Sequence, residues 1–227
     1  MTLKRATVRV DTYTADGTWT KPAGAKYVEV ILVGAGAGGG SGRKGAALSD
    51  RFGGYGGAGG AYSVKTFPAS ILAATESVVV GVGGTGGAAQ STNSTDGNDG
   101  GDGGNTTLGA WLAAQGGFKG IGGESVSTSG GTGLGAYGLE SDGGYGGFES
   151  GGQPSATSLA IRDVGSPLPF SGGGASGGNI DTLNAVSDGF IGGVGSYMKD
   201  LTGLVGGTAG VASTSAGGNG TSTTASH

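Results

Sequence analysis

The stretch VEVILVGAGAGGG, residues 28–40, decides the fold. Five of its first six residues are apolar, and residues 30–33 form a continuous run of valine, isoleucine and leucine. From Gly34 onward glycine is the commonest residue. The apolar run predicts a strand that ends near residue 33. Its glycines fit G-x-G-x-x-G, which seats a dinucleotide at the start of a helix. A second glycine-rich run follows instead of a helix, so the sequence does not favour a nucleotide site.

Glycine is the commonest residue of the chain and follows a three-residue period. The 227 residues include 59 glycines, of which only Gly17 and Gly24 precede residue 34. The runs GGYGGAGGA (53–61) and GGYGGF (143–148) repeat every third residue, as the polyproline II helix does. This helix makes no internal hydrogen bonds, so its buried amides need partners on neighbouring segments. We therefore expect a packed array of glycine-rich polyproline or polyglycine II helices, with flexible glycine loops as the alternative.

The remaining patterns predict an all-β fold with almost no α-helix. Alternating or β-branched runs predict strands at residues 7–14, 26–33, 60–67, 77–82 and 106–114. Gly-rich turns between them favour a small antiparallel β-sandwich, with five core candidates: Trp19, Trp111, Val28, Val30 and Val79. We expect a β-rich domain with glycine-rich insertions over residues 1–117. A glycine-rich extension over 118–227 would pack on it or lie beyond it.

The sequence offers little for catalysis, so we expect neither an enzyme nor a cofactor. It has no cysteine, and its single histidine is the last residue, His227. Residues 174–178 fit the G-x-S-x-G nucleophile elbow, but the chain lacks a base to activate Ser176. No apolar run reaches the roughly 20 residues of a membrane span. Most basic residues lie within 1–65 and most acidic residues follow, which suggests a docking surface at one end or scattered solvated charge.

Two sets of side chains are candidates for binding. The stretch DGNDGGDGG brings together carboxylate and amide oxygens that could bind calcium, from Asp96, Asn98, Asp99 and Asp102. The alternative is that this stretch is a solvated acidic loop. The glycine-rich stretches also contain aromatic residues, a composition similar to that of binding loops. The alternative is that these aromatic rings fill space in the glycine array. The receptor-binding candidates are Tyr55, Phe118, Tyr137, Tyr145 and Phe148.

Four blocks in this order resemble the glycine-rich domain of bacteriophage tail fibre and related virion proteins. They are TWTKPAGAKYVEVILVGAGAGGG, GGYGGAGGAYSVKTF, SVVVGVGGTGG and GGNTTLGAWLAAQGG, and the match covers residues 13–117. The resemblance implies a β-rich domain with packed polyglycine helices that is displayed on a virion, often where the phage touches its host. Residues 42–52 look like an insertion, and residues 118–227 match only in glycine richness.

The sequence and the resemblance together favour a non-catalytic phage virion protein of the tail fibre or adhesin type. It would recognise a host cell-surface glycan or outer-membrane component. The alternative is a capsid decoration or head spike protein without a receptor role. We expect assembly in the host cytoplasm, a place on the virion surface, contacts with other virion proteins, a homotrimer as one possible state, and neither nucleic-acid binding nor membrane insertion. Three basic residues near the N-terminus would attach it to the particle: Lys4, Arg5 and Arg9.

Overall fold

The computed structural model describes residues 8–46 and 49–125 and two short strands further along. The strands are β1 (Gly17–Thr20), β2 (Tyr27–Val33), β3 (Tyr62–Pro68), β4 (Thr75–Val79), β5 (Thr106–Leu108), β6 (Leu112–Ala114), β7 (Asn179–Ile180) and β8 (Val186–Ser187). All pairs are antiparallel, and these described residues contain no helix. The prediction of an all-β fold is confirmed.

Two sheets enclose the hydrophobic core. One has the strand order β1-β4-β5-β6, and the other consists of β2 and β3. Burial alternates along β1, β2, β4, β5 and β6, as the two-residue period of a strand requires. The core cluster contains Trp19, Val30, Leu32, Phe67, Leu72, Val78, Leu108, Leu112 and Ala114. Trp19 and Val30 are therefore core residues as predicted, and Val28 is partly buried against the cluster.

Two predicted core residues lie at the surface instead. Val79 is 42% exposed, because Val78 takes the inward position of β4. Trp111 is 38% exposed and lies in the turn between β5 and β6. Gly109, with a φ of +49°, makes that turn and divides the predicted strand 106–114 into two. The Trp111 ring meets Phe67 edge-on at 6.1 Å, and its Nε1 donates to Glu76 Oε1 at 2.9 Å.

The predicted strand at residues 7–14 is also wrong for the part that the structure describes. Residues 8–16 pair with no strand among the described residues, and the first strand begins at Gly17, outside all the predicted strands. Alternation alone does not make a strand, because the backbone groups also need a neighbouring edge. The predicted strands at 26–33, 60–67 and 77–82 overlap β2, β3 and β4, and their ends differ by at most three residues.

Five glycine-rich segments extend from the strands and lie side by side. We name them segment I (34–44), segment II (51–61), segment III (81–89), segment IV (95–105) and segment V (115–123). Segment I is central and shares main-chain hydrogen bonds with each of the other four. Segments II and IV run antiparallel to it, whereas III and V run parallel.

The hydrogen bonds between these segments recur every three residues. Segment I donates to segment II from Gly34, Ala37, Gly40 and Arg43, with N···O distances of 2.8–3.0 Å. It donates to segment IV from Ala35, Gly38, Ser41 and Lys44 at 2.8–3.1 Å. Successive residues thus send their amides to different neighbours. This is the bonding period that a three-residue helix would give, and the polyproline II geometry itself stays a prediction.

Segment V shows that the array continues past the predicted domain boundary at residue 117. Gly120 and Gly123 donate to segment I at 2.9 Å each, although both belong to the predicted extension. The described start of that extension is therefore part of the same array. Whether residues 126–227 form a separate unit stays a prediction.

Candidate binding surface

The array has two different ends, and only one of them is attached to the sandwich. Segment I follows β2, segment II leads into β3, segment III follows β4, segment IV leads into β5, and segment V follows β6. The other ends of segments I to V therefore all lie away from the sandwich. We name this the distal end; the connection between segments I and II and the loop at residues 88–95, named the distal loop, lie there.

The distal loop is held in place by hydrogen bonds to both sides. Lys44 Nζ donates to the carbonyl of Ser91 at 2.8 Å, and Lys44 also exchanges main-chain hydrogen bonds of 3.1 Å with Thr95. Asn98 Nδ2 donates to the carbonyl of Ala88 at 2.8 Å. Gln90 Nε2 donates to the carbonyl of Asp96 at 2.9 Å. The loop therefore has several fixed anchor points on segments I and IV.

Exposed residues form the tip of the distal loop: Ser91, Thr92, Asn93 and Ser94. Ser94 has a φ of 58°, a conformation that few residues other than glycine adopt without an external constraint. Hydroxyl and amide groups on an anchored backbone suit hydrogen bonding to a polar ligand such as a sugar. This loop is not among the binding residues predicted from the sequence, although QSTNST between two glycine runs is a recognisable polar signal.

Two of the calcium candidates, Asp99 and Asp102, are instead part of a ladder between segments IV and V. Asp99 Oδ1 accepts the N–H of Gly122 at 3.0 Å, and Asp102 Oδ1 accepts that of Lys119 at 2.8 Å. Asn105 Oδ1 accepts the N–H of Gly116 at 2.9 Å. These side chains are three residues apart, so they repeat in step with the main-chain bonds. They serve amides of segment V that point away from segment I.

Asp99 of this ladder is also paired with a cation. Its Oδ2 lies 2.9 Å from Lys119 Nζ. Burial raises the pKa of Asp99, but the hydrogen bonds from Lys119 and from the N–H of Gly122 and the Lys119 charge together lower that pKa below its ordinary value. Asp96 pairs with Arg43 of segment I. Asn98 is occupied as well, because its side chain donates to Ala88.

The calcium hypothesis gains no support from this arrangement. Within the described residues, no three His, Cys, Asp or Glu side chains come together as a metal site would need. The relevant signal in the sequence is the spacing of Asp96, Asp99, Asp102 and Asn105 at every third position. That spacing predicts side chains on one face of a three-residue helix rather than a cluster around a cation.

The aromatic candidates divide into buried, partly buried and undescribed residues. Tyr55 is 1% exposed, so its ring is not presented to a partner, and the space-filling alternative fits it. Its amide donates to the carbonyl of Ile121 at 2.9 Å. Phe118 is partly buried on segment V. Three candidates lie outside the described residues: Tyr137, Tyr145 and Phe148.

Of the predicted attachment residues, only Arg9 lies within the described part. Its side chain is 61% exposed and pairs with Asp11, with Nε 2.7 Å from Oδ1. Lys4 and Arg5 fall outside the described residues. The role of all three stays a prediction.

One depression lies at the sandwich, beside the turn from β1 to β2. It encloses about 370 Å³ between residues 21–26 and residues 69–70. The Lys21 ammonium group there donates to the carbonyls of Ala69 and Leu72 at 3.2 and 2.7 Å, so it stabilises the turn.

Among the residues that the structure describes, no helix has the length and hydropathy for a membrane crossing.

Comparison with known proteins agrees with the glycine array. A search of the curated proteins found no significant match. A family model described as a glycine-rich domain matches residues 10–227, which is nearly the whole chain. The match includes the strands, all five glycine segments and the distal loop. The chain therefore belongs to the glycine-rich domain family.

Proposed function

We propose that this chain is a non-catalytic bacteriophage virion protein that recognises a polar ligand on the host surface. The resemblance of residues 13–117 to glycine-rich domains of tail fibre and related virion proteins supports a place on the virion surface. The observation that carries the binding role is the distal loop. Its polar tip is exposed and its backbone is anchored at the end of the array that faces away from the sandwich.

The array suits this role because it acts as a stiff support. Main-chain hydrogen bonds of 2.7–3.1 Å join neighbouring segments along their length. Binding groups on a rigid scaffold lose less entropy when they bind than groups on a mobile loop. A glycan or an outer-membrane component offers hydroxyl and carbonyl groups that can pair with Thr92 and Asn93. The aromatic residues Tyr137 and Tyr145 are further candidates for contacts with sugar rings.

Binding of the labelled protein to a panel of bacterial strains and their purified lipopolysaccharides tests this function. We expect binding to at least one strain, and we expect the double variant Thr92→Ala/Asn93→Ala to lose most of it. The matched control is Thr20→Ala/Thr66→Ala, which changes two exposed residues of the sandwich and should bind like the parent. Tyr137→Ala/Tyr145→Ala tests the aromatic candidates separately.

Two outcomes would contradict the receptor role. One is a parent protein that binds no strain on which its phage grows. The other is undiminished binding by both the loop variant and the tyrosine variant. Immunogold labelling that places the chain on the capsid head would favour the alternative, a decoration or head spike protein.

A further inference from the structure

The segment Val8–Thr12 has the sequence of a strand but pairs with no strand among the described residues. Val8 and Val10 are 86% and 81% exposed, the highest exposures among the large apolar residues of the described part. Arg9 and Asp11 alternate with them and form an ion pair on the other side of the segment. Such an extended segment with two exposed valines is suited to adding to the edge of a sheet.

Strand β2 offers an edge that could take such a segment. It pairs with β3 along one side, and no described strand pairs with its other side. Val28 and Val30 face the core, whereas Tyr27, Glu29 and Ile31 face outward. Tyr27 is 74% exposed and Ile31 is 55% exposed. On the outer face of β2, these two apolar side chains therefore lie on either side of the Glu29 carboxylate. An unpaired edge of this kind is a template for another strand.

We propose that Val8–Thr12 of one copy of this chain adds to the free edge of β2 in a second copy. The sequence of the segment is compatible with this pairing. Side chains alternate between the two faces of a strand, so Val8 and Val10 would lie on the same face. That face would lie on the core side, next to Val28 and Val30. The segment does not fill this edge in its own chain, where both valines are exposed.

Charge selects the register of the added strand. With the valines on the core side, Arg9 lies on the outer face together with Glu29. Opposite charges directly across a strand pair are favourable, whereas a shift by two residues would place Arg9 against Tyr27 or Ile31. We therefore assign Arg9 of one copy to the position opposite Glu29 of the other. This inference concerns assembly and does not depend on the proposed receptor role.

The arrangement can close in two ways. Head-to-tail addition around a ring gives a closed oligomer such as the trimer considered from the sequence, and reciprocal exchange gives a dimer. Both place residue 9 of one copy beside residue 29 of another. Because the chain has no cysteine, a disulfide introduced at this pair reports the contact without background. Residues directly opposite in a sheet lie about 4.5–5.5 Å apart between Cα atoms, within disulfide range.

The first test measures the mass of the full chain in solution by sedimentation velocity. We expect an oligomer for the parent and a monomer for Val8→Asp/Val10→Asp, which should keep its circular dichroism spectrum because both valines are exposed. Val82→Asp is the matched control: Val82 is 78% exposed on segment III, and this variant should stay oligomeric. A monomeric parent at high concentration, or an oligomeric double variant, would overturn the proposal.

The second test uses the pair itself. Arg9→Cys and Glu29→Cys proteins, mixed and mildly oxidised, should give a disulfide-linked dimer, and Arg9→Cys mixed with Val82→Cys should give at least tenfold less. Arg9→Glu should weaken self-association at least tenfold, and adding Glu29→Arg in the same chain should restore it. Equal disulfide yield with Val82→Cys, or failure of the charge exchange to restore self-association, would refute the assignment.

Discussion

Two adjacent glycines of segment III provide a sharp test of the packed array. An added Cβ at Gly84 would overlap the carbonyl oxygen of Gly101 and lie 2.7 Å from the amide nitrogen of Gly38. An added Cβ at Gly83 would meet nothing closer than the carbonyl oxygen of Gly36, at 3.9 Å. Neither glycine has a positive φ. Alanine at these neighbouring positions should therefore have opposite effects on stability.

The size of the effect follows from the hydrogen bonds around Gly84. To make room for a methyl group, segment III must move away from segments I and IV. This movement lengthens three main-chain bonds of segment III: Gly84 to Gly36 at 2.9 Å, Gly101 to Thr85 at 2.7 Å and Gly104 to Val82 at 2.8 Å. At about 0.5–1.5 kcal/mol each, and with about 0.4–1 kcal/mol regained from the stiffer unfolded chain, Gly84→Ala should lose about 0.5–4 kcal/mol.

Urea unfolding followed by tryptophan fluorescence measures both variants, since Trp19 lies in the core. Gly83→Ala should match the parent or gain up to about 1 kcal/mol, because it only restricts the unfolded chain. Gly100→Ala and Gly101→Ala repeat the comparison on segment IV. An added Cβ overlaps the carbonyl oxygen of Gly38 at Gly100, but meets only Thr85 atoms at 3.1 Å or more at Gly101. Equal free energies of unfolding for the two members of each pair would refute close backbone packing.

Three further predictions concern charge, core and turn. Because the pKa of Asp99 is lowered, its charged form stabilises the fold at neutral pH, and this contribution should disappear as the pH falls through about 4 and below. Urea midpoints between pH 7 and pH 2 should fall less steeply for Asp99→Asn, and parallel curves would contradict this role. Phe67→Ala, at a core position 3% exposed, should cost about 3–5 kcal/mol in the same urea assay; a loss below about 1 kcal/mol would argue against the packing described. Gly24→Ala, at a φ of +79° with open space around it, should cost about 1–2 kcal/mol through backbone strain alone, and calorimetry that finds no loss would show that the turn relaxes.

The sequence predicted those strands whose apolar side chains indicate which face of the strand is buried. Burial alternates along β2, so a one-residue shift of its register would expose the residues that face the core. Residues 8–14 show the same alternation but have no neighbouring edge among the described residues, and a pattern within one segment cannot reveal that. Trp111 was assigned to the core for its size, but Gly109 places it in a turn where its indole N–H reaches Glu76.

The three-residue period of the glycine segments was predictable, but their order was not. Glycine has no side chain that could favour contact with one neighbouring segment rather than another. The central position of segment I is therefore evident only from the hydrogen bonds. The spacing of Asp99, Asp102 and Asn105 does indicate a particular neighbour. It specifies the contact of segment IV with segment V through side-chain oxygens. The distal loop was missed because its role depends on where the segments end.

Amide hydrogen exchange measured by NMR tests the three-residue bonding pattern most directly. On segment III, Gly81, Gly84 and Gly87 donate hydrogen bonds, whereas the intervening amides donate none within the described residues. We predict slow exchange at these three positions and fast exchange at Val82, Gly83, Thr85 and Gly86. Uniformly fast exchange along residues 81–87, or protection that alternates every second residue as in a β-strand, would contradict the array of hydrogen-bonded glycine segments.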